Sequence, residues 1–482
     1  MKLNSDQCYA ALVARDPRFD GRFFVGVKST GIYCRPICRV KTPLRKSCAF
    51  FSNAPGAEAA GFRPCKRCRP ELAPGNRWLE LTSELARDAA NQINQDYLAE
   101  HSLADLAGYL GVTDRQLRRA FHDEFGVSPV QFAQTQRLLL AKQLLTDSRM
   151  PVTGVALASG FKSLRRFNAL IKAHYRMSPT ELRKRPTSRL PANFTEIPFR
   201  LSYRAPYDWP KLLNFLAKRA LRGVEVVAGD TYFRTVQVRR ADKSFTGYLE
   251  VRNDADTNAL LVRLSQGLLP VCAQVLERLK WVFDLHADPA AINQVLGSLA
   301  AQQPGLRLPG SFDGFETAVR AVLGQQVSVA AATTFAGRLV ERFGSPVETP
   351  VAGLNHLFPS ATRLAALSAA EIGQAGITRS RCGTLIALAA AVAGGSLRLD
   401  PGRGVEETLR RVREIRGMGE WTAQYLSMRA LSWPDAFPHT DLGVKKALGL
   451  SNSHQILALA EKWRPWRAYA ALHLWQVEPS QA

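Results

Sequence analysis

Along this chain the spacing of apolar and polar positions changes from region to region, and each change marks a candidate domain. Residues 78–185 keep the three-and-four spacing of amphipathic helices, and the pattern echoes itself about 50 residues apart. Between 195 and 286 the period falls to two. Ile197-Pro-Phe-Arg-Leu-Ser-Tyr203, Glu225-Val-Val-Ala228, Tyr232-Phe-Arg-Thr-Val-Gln-Val238 and Phe245-Thr-Gly-Tyr-Leu-Glu-Val251 alternate as half-buried strands do, with helices predicted over 209–220 and 269–283. From about 303 the helical period returns. Leu409, Val412 and Ile415 share one face, and Ala423, Leu426 and Ala430 resume it after Gly417-Met418-Gly419. Two glycines one residue apart predict the positive φ values of a tight hairpin. The helix after it starts with unpaired backbone N–H groups, a ready site for a phosphate. Asp441, in Pro438-His-Thr-Asp441-Leu, lies about two dozen residues downstream. A helix–hairpin–helix with a lone carboxylate beyond it fits a protein that grips DNA backbone and does chemistry on a nucleotide.

Composition narrows the class. The 482 residues leave room for roughly three or four domains, and 46% hydrophobic with 22% charged residues is a globular composition. The net charge of +23 is uneven: residues 1–190 carry 31 Lys+Arg against 16 Asp+Glu, and the remainder 33 against 25. Such an excess calls for an anionic partner, nucleic acid first, although a merely solvated basic surface has the same composition. The first residues lack the apolar core of a signal peptide, and the most apolar uncharged run, 382–397, is too short to span a bilayer. A cytoplasmic, membrane-free monomer is expected. There the eight cysteines are reduced, and clustered ones read as ligands or nucleophiles.

Four of them cluster. Gly31-Ile-Tyr-Cys34-Arg-Pro-Ile-Cys38 and Arg63-Pro-Cys65-Lys-Arg-Cys68-Arg-Pro form two knuckles separated by 26 residues, a spacing that closes a tetrahedral zinc shell. On spacing alone a structural zinc that only folds its module is the simpler reading. Arg35, Arg39, Lys41, Arg45, Lys46, Lys66, Arg67 and Arg69 surround the cluster with donors for DNA phosphates. Cys8, Cys48, Cys272 and Cys382 stand apart as apolar fillers. Over roughly residues 5–72 this block resembles the N-terminal module of bacterial adaptive-response (Ada) proteins. The resemblance implies that Cys34 takes a methyl group from a methylphosphotriester, irreversibly, while Cys34, Cys38, Cys65 and Cys68 hold Zn²⁺. Four thiolates on one zinc carry −2, and methylation of one would leave −1, a local charge change that would raise DNA affinity.

In the helical repeat, Gly111 and Gly160 each form a turn, and Thr113 and Ser163 then cap the helix that follows. Arg115, Gln116 and Arg119, with Arg165, Arg166 and Asn168, are expected to face outward and reach DNA. The closers Phe125-Gly-Val-Ser-Pro129 and Tyr175-Arg-Met-Ser-Pro179 resemble those of AraC-type DNA-binding domains, whose likeness also implies a bacterial, nucleoid-associated transcriptional activator with RNA polymerase as partner. Residues 183–193 are basic, Pro-punctuated and aperiodic, and are predicted as a linker. The Pro-Cys-His-Arg site of the O6-alkylguanine transferase found in many Ada proteins is absent, so direct reversal of base damage is not expected.

Residues 195–477 instead resemble AlkA-type 3-methyladenine DNA glycosylase II, through Ala321-Val-Leu-Gly-Gln-Gln-Val-Ser328, Arg416-Gly-Met-Gly-Glu-Trp-Thr-Ala-Gln-Tyr425, Pro438-His-Thr-Asp-Leu442 and Lys462-Trp-Arg-Pro-Trp-Arg-Ala-Tyr469 onward to Trp475. The resemblance implies that Asp441 is catalytic and that Trp421, Tyr425 and Trp475 receive a flipped-out cationic base. A carboxylate can stabilise an oxocarbenium-like sugar and direct water to it; a bare N-cap is the other reading of Asp441. Electron-rich rings suit an alkylated base by roughly 1–2 kcal/mol, and ordinary core packing is the other reading of Tyr425. Gly417 and Gly419 would bind backbone, and Gln325 and Gln326 occupy the loop where relatives insert a wedge, an apolar side chain often standing at Gln326. Lyase-competent relatives place a lysine where Trp421 stands, so strand cleavage is not expected, nor is an iron–sulfur cluster, since no cysteine follows Cys382.

The expected architecture is multidomain, mainly α with α+β parts: a small zinc methyl-acceptor module over 1–76, an AraC-type double helix-turn-helix over 78–185, a small α+β domain without visible chemistry over 195–302, and an all-α helix-hairpin-helix glycosylase domain over 303–482. The expected function is sensing of methylated DNA backbone, activation of repair genes and excision of alkylated bases. A regulator with a non-catalytic clamp, or a repair enzyme with a purely structural zinc anchor, are the rival readings.

Overall fold

The structure, a computed structural model, describes residues 4–75, 83–183, 196–401 and 404–476. The linker predicted over 183–193 lies, beyond Arg183, outside the described residues. No helix among them is long and apolar enough to cross a membrane.

In the N-terminal module the strands Phe24–Val27, Ile32–Cys34, Cys48–Phe51 and Arg63–Pro64 form one sheet, with Phe24–Val27 and Ile32–Cys34 as its inner pair. Ile32–Cys34 runs parallel to Arg63–Pro64, pairing Tyr33 with Pro64, and the Cys65 N–H donates to the Tyr33 carbonyl at 3.0 Å. This register sets the second knuckle beside the first. Tyr33 and Val25 fill the core below.

The helical repeat is built on one long helix, Pro129–Asp147, with Leu103–Tyr109 and Asp114–Phe125 before it and Val152–Ala158 and Leu164–Tyr175 after it. The predicted caps form: Thr113 accepts from the Gln116 N–H, and Ser163 from that of Arg166. Gly111 and Gly160 take φ of +74° and +82°, as their turns require.

The long helix also anchors the zinc module. Lys142 donates to the Cys65 carbonyl at 3.2 Å and pairs with Glu71; Arg69 pairs with Asp147 at 2.7 Å. Glu58 accepts from Tyr33 and Thr135. On its other side a single hydrophobic core runs from Leu138, Phe167, Ile171 and Tyr175 into Phe199, Val251, Leu264 and Leu279 of the next domain.

That domain is a five-stranded antiparallel sheet in the order Glu196–Ser202, Ala259–Ser265, Lys243–Asp254, Thr231–Arg240, Glu225–Ala228. In the strand Ala259–Ser265 the apolar run Ala259–Val262 masks the alternation. It is an inner strand that buries Leu260, Val262 and Leu264 on one face and leaves Arg263 exposed on the other. So short an apolar run cannot be told from helix by periodicity. The helices Trp209–Ala217 and Cys272–Val282 are shorter than predicted, the second because a 3₁₀ turn, Gln266–Val271, precedes it around Pro270. Beyond Phe312 the chain is helical apart from the short antiparallel pair Ser345–Pro346 and His356–Leu357, which the all-α expectation lacked. Gly314–Leu323, Arg379–Ala393, Val405–Glu414 and Glu420–Arg429 surround a second core, to which Leu221 and Val224 of the sheet domain contribute.

Lys142 and Glu71 are almost fully buried, so their pairing holds only while both remain. Lys142→Met is expected to lower the denaturation midpoint by the equivalent of about 3 kcal/mol. Adding Glu71→Gln should recover part of that loss.

Candidate active site and zinc centre

The hairpin between Val405–Glu414 and Glu420–Arg429 depends on one glycine. Gly417 has φ +92°, and a Cβ there would meet the Thr384 hydroxyl at 2.4 Å. Gly419 has φ −87°, so the expected positive φ holds at the first glycine and not at the second. Thr384 donates to the Arg416 carbonyl at 2.9 Å, and Gln325 to the Gly417 carbonyl at 2.8 Å and the Thr422 hydroxyl at 3.0 Å. Gln325 therefore braces the hairpin, while Gln326 is exposed at φ +55°. The helix Glu420–Arg429 starts without a side-chain cap, leaving its first N–H groups for another acceptor.

This helix carries Trp421 to Asp441. The Trp421 Nε1–H donates to Asp441 Oδ2 at 2.7 Å, and the Trp475 Nε1–H to Oδ1 at 2.9 Å. Oδ1 also caps the helix Leu442–Leu448, accepting from the N–H of Gly443 at 2.8 Å and of Val444 at 3.1 Å. The side chain that caps this helix thus also accepts from two indoles, one on each oxygen. Gly443 makes room for it: a Cβ there would sit 3.0 Å from Trp475 and 3.1 Å from Asp441. Trp421 stacks on Tyr425, centroids 5.2 Å apart and rings 15° from parallel.

Asp441, Trp421, Tyr425 and Trp475 line a cavity of about 530 Å³. Its far wall comes from the α+β domain, which the sequence left without visible chemistry. Phe215, Arg219, Glu225, Tyr232 and Arg234 all face it. Glu225 accepts from Tyr232 at 2.6 Å and pairs with Arg320 at 2.9 Å and Arg234 at 3.4 Å; Glu316 pairs with both arginines. Burial would raise the Glu225 carboxyl, but Arg320 and Arg234 override it and hold it below its usual range. Burial would likewise raise Tyr425, yet Arg429, donating to its hydroxyl at 2.8 Å, and Arg219 lower it. Lone Arg, Glu and Tyr residues in strands and helices read as surface, so sequence offered no signal for this wall. Only their convergence across two domains gives one.

At the other end the Sγ atoms of Cys34, Cys38, Cys65 and Cys68 lie within 4.8 Å of one another. A tetrahedron of zinc–sulfur bonds needs edges of about 3.8 Å, so the four thiols fit the cation with little movement. The Arg35 N–H donates to the Cys68 sulfur at 3.3 Å. The Arg35 side chain is turned inward onto Asp20 and so is withdrawn from the outer surface where DNA was expected to meet it. Arg69 is spent on Asp147 and Glu71. Arg45 lies half-buried against Phe50 and pairs with Asp6, while Arg39 is exposed. On the two repeat helices Arg115, Arg119, Arg165 and Arg166 are exposed, opposite the buried Leu117–Phe121 and Phe167–Ile171 faces. Gln116 is exposed too, but closes a capping box with Thr113.

Comparison with known proteins divides the chain in the same way. The metal binding domain of Ada matches residues 7–71, a helix-turn-helix domain 106–185, the AlkA N-terminal domain 198–313, and the HhH-GPD superfamily of base excision DNA repair proteins 319–457. The DNA-3-methyladenine glycosylase 2 of Escherichia coli is 37% identical over 280 residues, 58% of this chain and 97% of that protein. The bifunctional transcriptional activator/DNA repair enzyme Ada of the same organism is 35% identical over 159 residues, 33% of this chain and 43% of its own. A probable bifunctional transcriptional activator/DNA repair enzyme AlkA of Mycobacterium tuberculosis is 36% identical over 485 residues, spanning 98% of this chain and 96% of that one. With its four domains in one polypeptide and that relative matched nearly end to end, the chain belongs to the family of bifunctional transcriptional activator/DNA repair enzymes that joins an Ada-type regulator to an AlkA-type glycosylase.

Proposed function

We propose that the C-terminal half is a monofunctional DNA glycosylase that hydrolyses the N-glycosidic bond of alkylated bases of the 3-methyladenine type, with Asp441 as the catalytic carboxylate. The observation that carries this reading is Asp441 held by both indole N–H groups at the mouth of an aromatic cavity. Oδ1 has three donors already, whereas Oδ2 accepts from Trp421 alone and keeps a lone pair for the sugar or for water. As the bond to the base lengthens, positive charge grows on the sugar, and a carboxylate fixed in advance stabilises it without reorganisation. The base leaves with the bonding electrons into the stack of Trp421 and Tyr425. No amine stands at Trp421, so the product is an abasic site in an intact strand. The hairpin around Gly417 and the uncapped helix start at Gly419 hold the phosphate backbone.

For the N-terminal half we propose that Cys34 accepts the methyl group of a methylphosphotriester: the sulfur–carbon bond forms, the carbon–oxygen bond breaks, and the phosphate regains its charge. Zn²⁺ held by the four cysteines would keep the thiol deprotonated at neutral pH. Arg115, Arg119, Arg165 and Arg166 then engage promoter DNA, with Arg39 and Arg45 on phosphates, and RNA polymerase is the expected partner of the activated form.

Incubation with methylated duplex, scoring abasic sites and methylated Cys34 separately, tests both halves. Asp441→Asn should lower base release by about 10²–10³-fold and leave Cys34 methylation intact. Cys34→Ser should do the reverse; release by Asp441→Asn at the parental rate would sink the glycosylase reading. Trp421→Phe keeps the ring and removes the Oδ2 donor, so single-turnover release should fall about tenfold with little change in duplex affinity. Gly417→Ala, strained at its φ and against Thr384, should instead weaken duplex binding.

A further inference from the structure

Away from the cavity of Asp441 and from the four cysteines, a cleft of about 280 Å³ opens where three domains meet. Gln95 reaches it from the helical repeat and Arg278 from the helix Cys272–Val282 of the sheet domain. Asp313, Arg398 and Asp400 reach it from the C-terminal helical domain.

The two arginines have no protein acceptor. Neither makes an ion pair or a hydrogen bond among the described residues. Arg398 lies over the Tyr109 ring, 4.3 Å from its centroid, and Arg278 over Phe312 at 5.5 Å. Stacking holds each guanidinium but occupies none of its five N–H donors. The Nη1 of Arg398 is moreover closed off from solvent with no acceptor. Arg183, Arg204, Arg234 and Arg307 also enclose such a nitrogen, yet each is hydrogen-bonded through another one. A charged donor enclosed without any partner calls for an anion. Asp313 does not supply it, since its Oδ1 caps the helix Gly314–Leu323 through the Glu316 N–H at 3.0 Å. Asp400 pairs with neither arginine.

We propose that this cleft binds a small phosphomonoester, its phosphate held by Arg278 and Arg398 and a hydroxyl of its sugar donating to Asp400. Two guanidinium groups match a phosphate that carries two charges, and their planar forks grip its oxygens in pairs. A phosphate within a DNA strand carries one charge and brings no free hydroxyl for Asp400. The cleft is wider than a phosphate, a group the size of a few waters, so a sugar or nucleoside enters with it. A ligand seated among Gln95, Arg278 and Arg398 ties the regulatory and repair halves together, and so stabilises the whole chain.

Titration calorimetry and thermal unfolding of the full-length protein test the site, with deoxyadenosine monophosphate, inorganic phosphate and deoxyadenosine as probes. The monophosphate should bind one to one and raise the unfolding midpoint. Inorganic phosphate should bind about tenfold more weakly, and deoxyadenosine should not bind. Arg278→Met and Arg398→Met should each weaken the monophosphate by about tenfold or more, while Arg398→Lys should keep part of the affinity. Asp400→Ala should reduce it to the affinity of inorganic phosphate. A parental midpoint without ligand shows that each variant folds. Failure of both phosphates to bind, equal binding of the monophosphate with inorganic phosphate or with deoxyadenosine, or unchanged affinity in either methionine variant would overturn the proposal. Displacement of the monophosphate by undamaged duplex would assign the two arginines to DNA backbone and overturn it as well.

Discussion

Two indole N–H groups converging on one carboxylate are the constraint from which the C-terminal half follows. An ionised acid inside an aromatic cavity is tolerated only if its oxygens are hydrogen-bonded, and Asp441 finds four donors. Those donors come from three helices, Glu420–Arg429, Leu442–Leu448 and the segment ending at Leu474, distant in the chain. Bringing them together fixes the hairpin at Gly417 and the turn before Asp441. It also fixes Gly443, whose missing side chain lets Trp475 approach the helix start.

The opposite wall explains why the α+β domain cannot be separated from the chemistry. Its strand Glu225–Ala228 and helix Trp209–Ala217 deliver Glu225, Phe215 and, just past the helix, Arg219 to the cavity. The ion-paired group of Glu225, Arg234, Glu316 and Arg320 spans the seam and is buried, so neither domain can part from the other without stranding charge. The same domain shares its core with the helix-turn-helix unit, where Cys272 donates to the Ala158 carbonyl at 3.2 Å. The regulatory and repair halves therefore share one packed core.

What could be read from sequence were features whose signal is local. The caps at Thr113 and Ser163, the Gly417 turn, four cysteines in two knuckles and four of the five strands all declare themselves within a few residues. What could not be read depends on distant partners. The inner strand Ala259–Ser265 opens on an apolar run, Ala259–Val262, that hides its alternation until Arg263. Arg35, in a run of basic residues, looks like a phosphate contact until Asp20 is placed beside it. Trp421 and Trp475 are readable as stacking surfaces, but that their N–H groups meet on one acid follows from the fold.

The two proposed chemistries make opposite demands on the groups that perform them. In the proposed glycosylase Asp441 must be regenerated at every turnover, and four donors hold its oxygens. A methyl acceptor acts once, so its reactivity has no need to be reversible. In the proposed methyl acceptor, Cys34 is spent in a single transfer. On the proposed reading both sites answer to methylated DNA, so packing them on one shared core ties the signal that alkylation has occurred to the enzyme that removes its products.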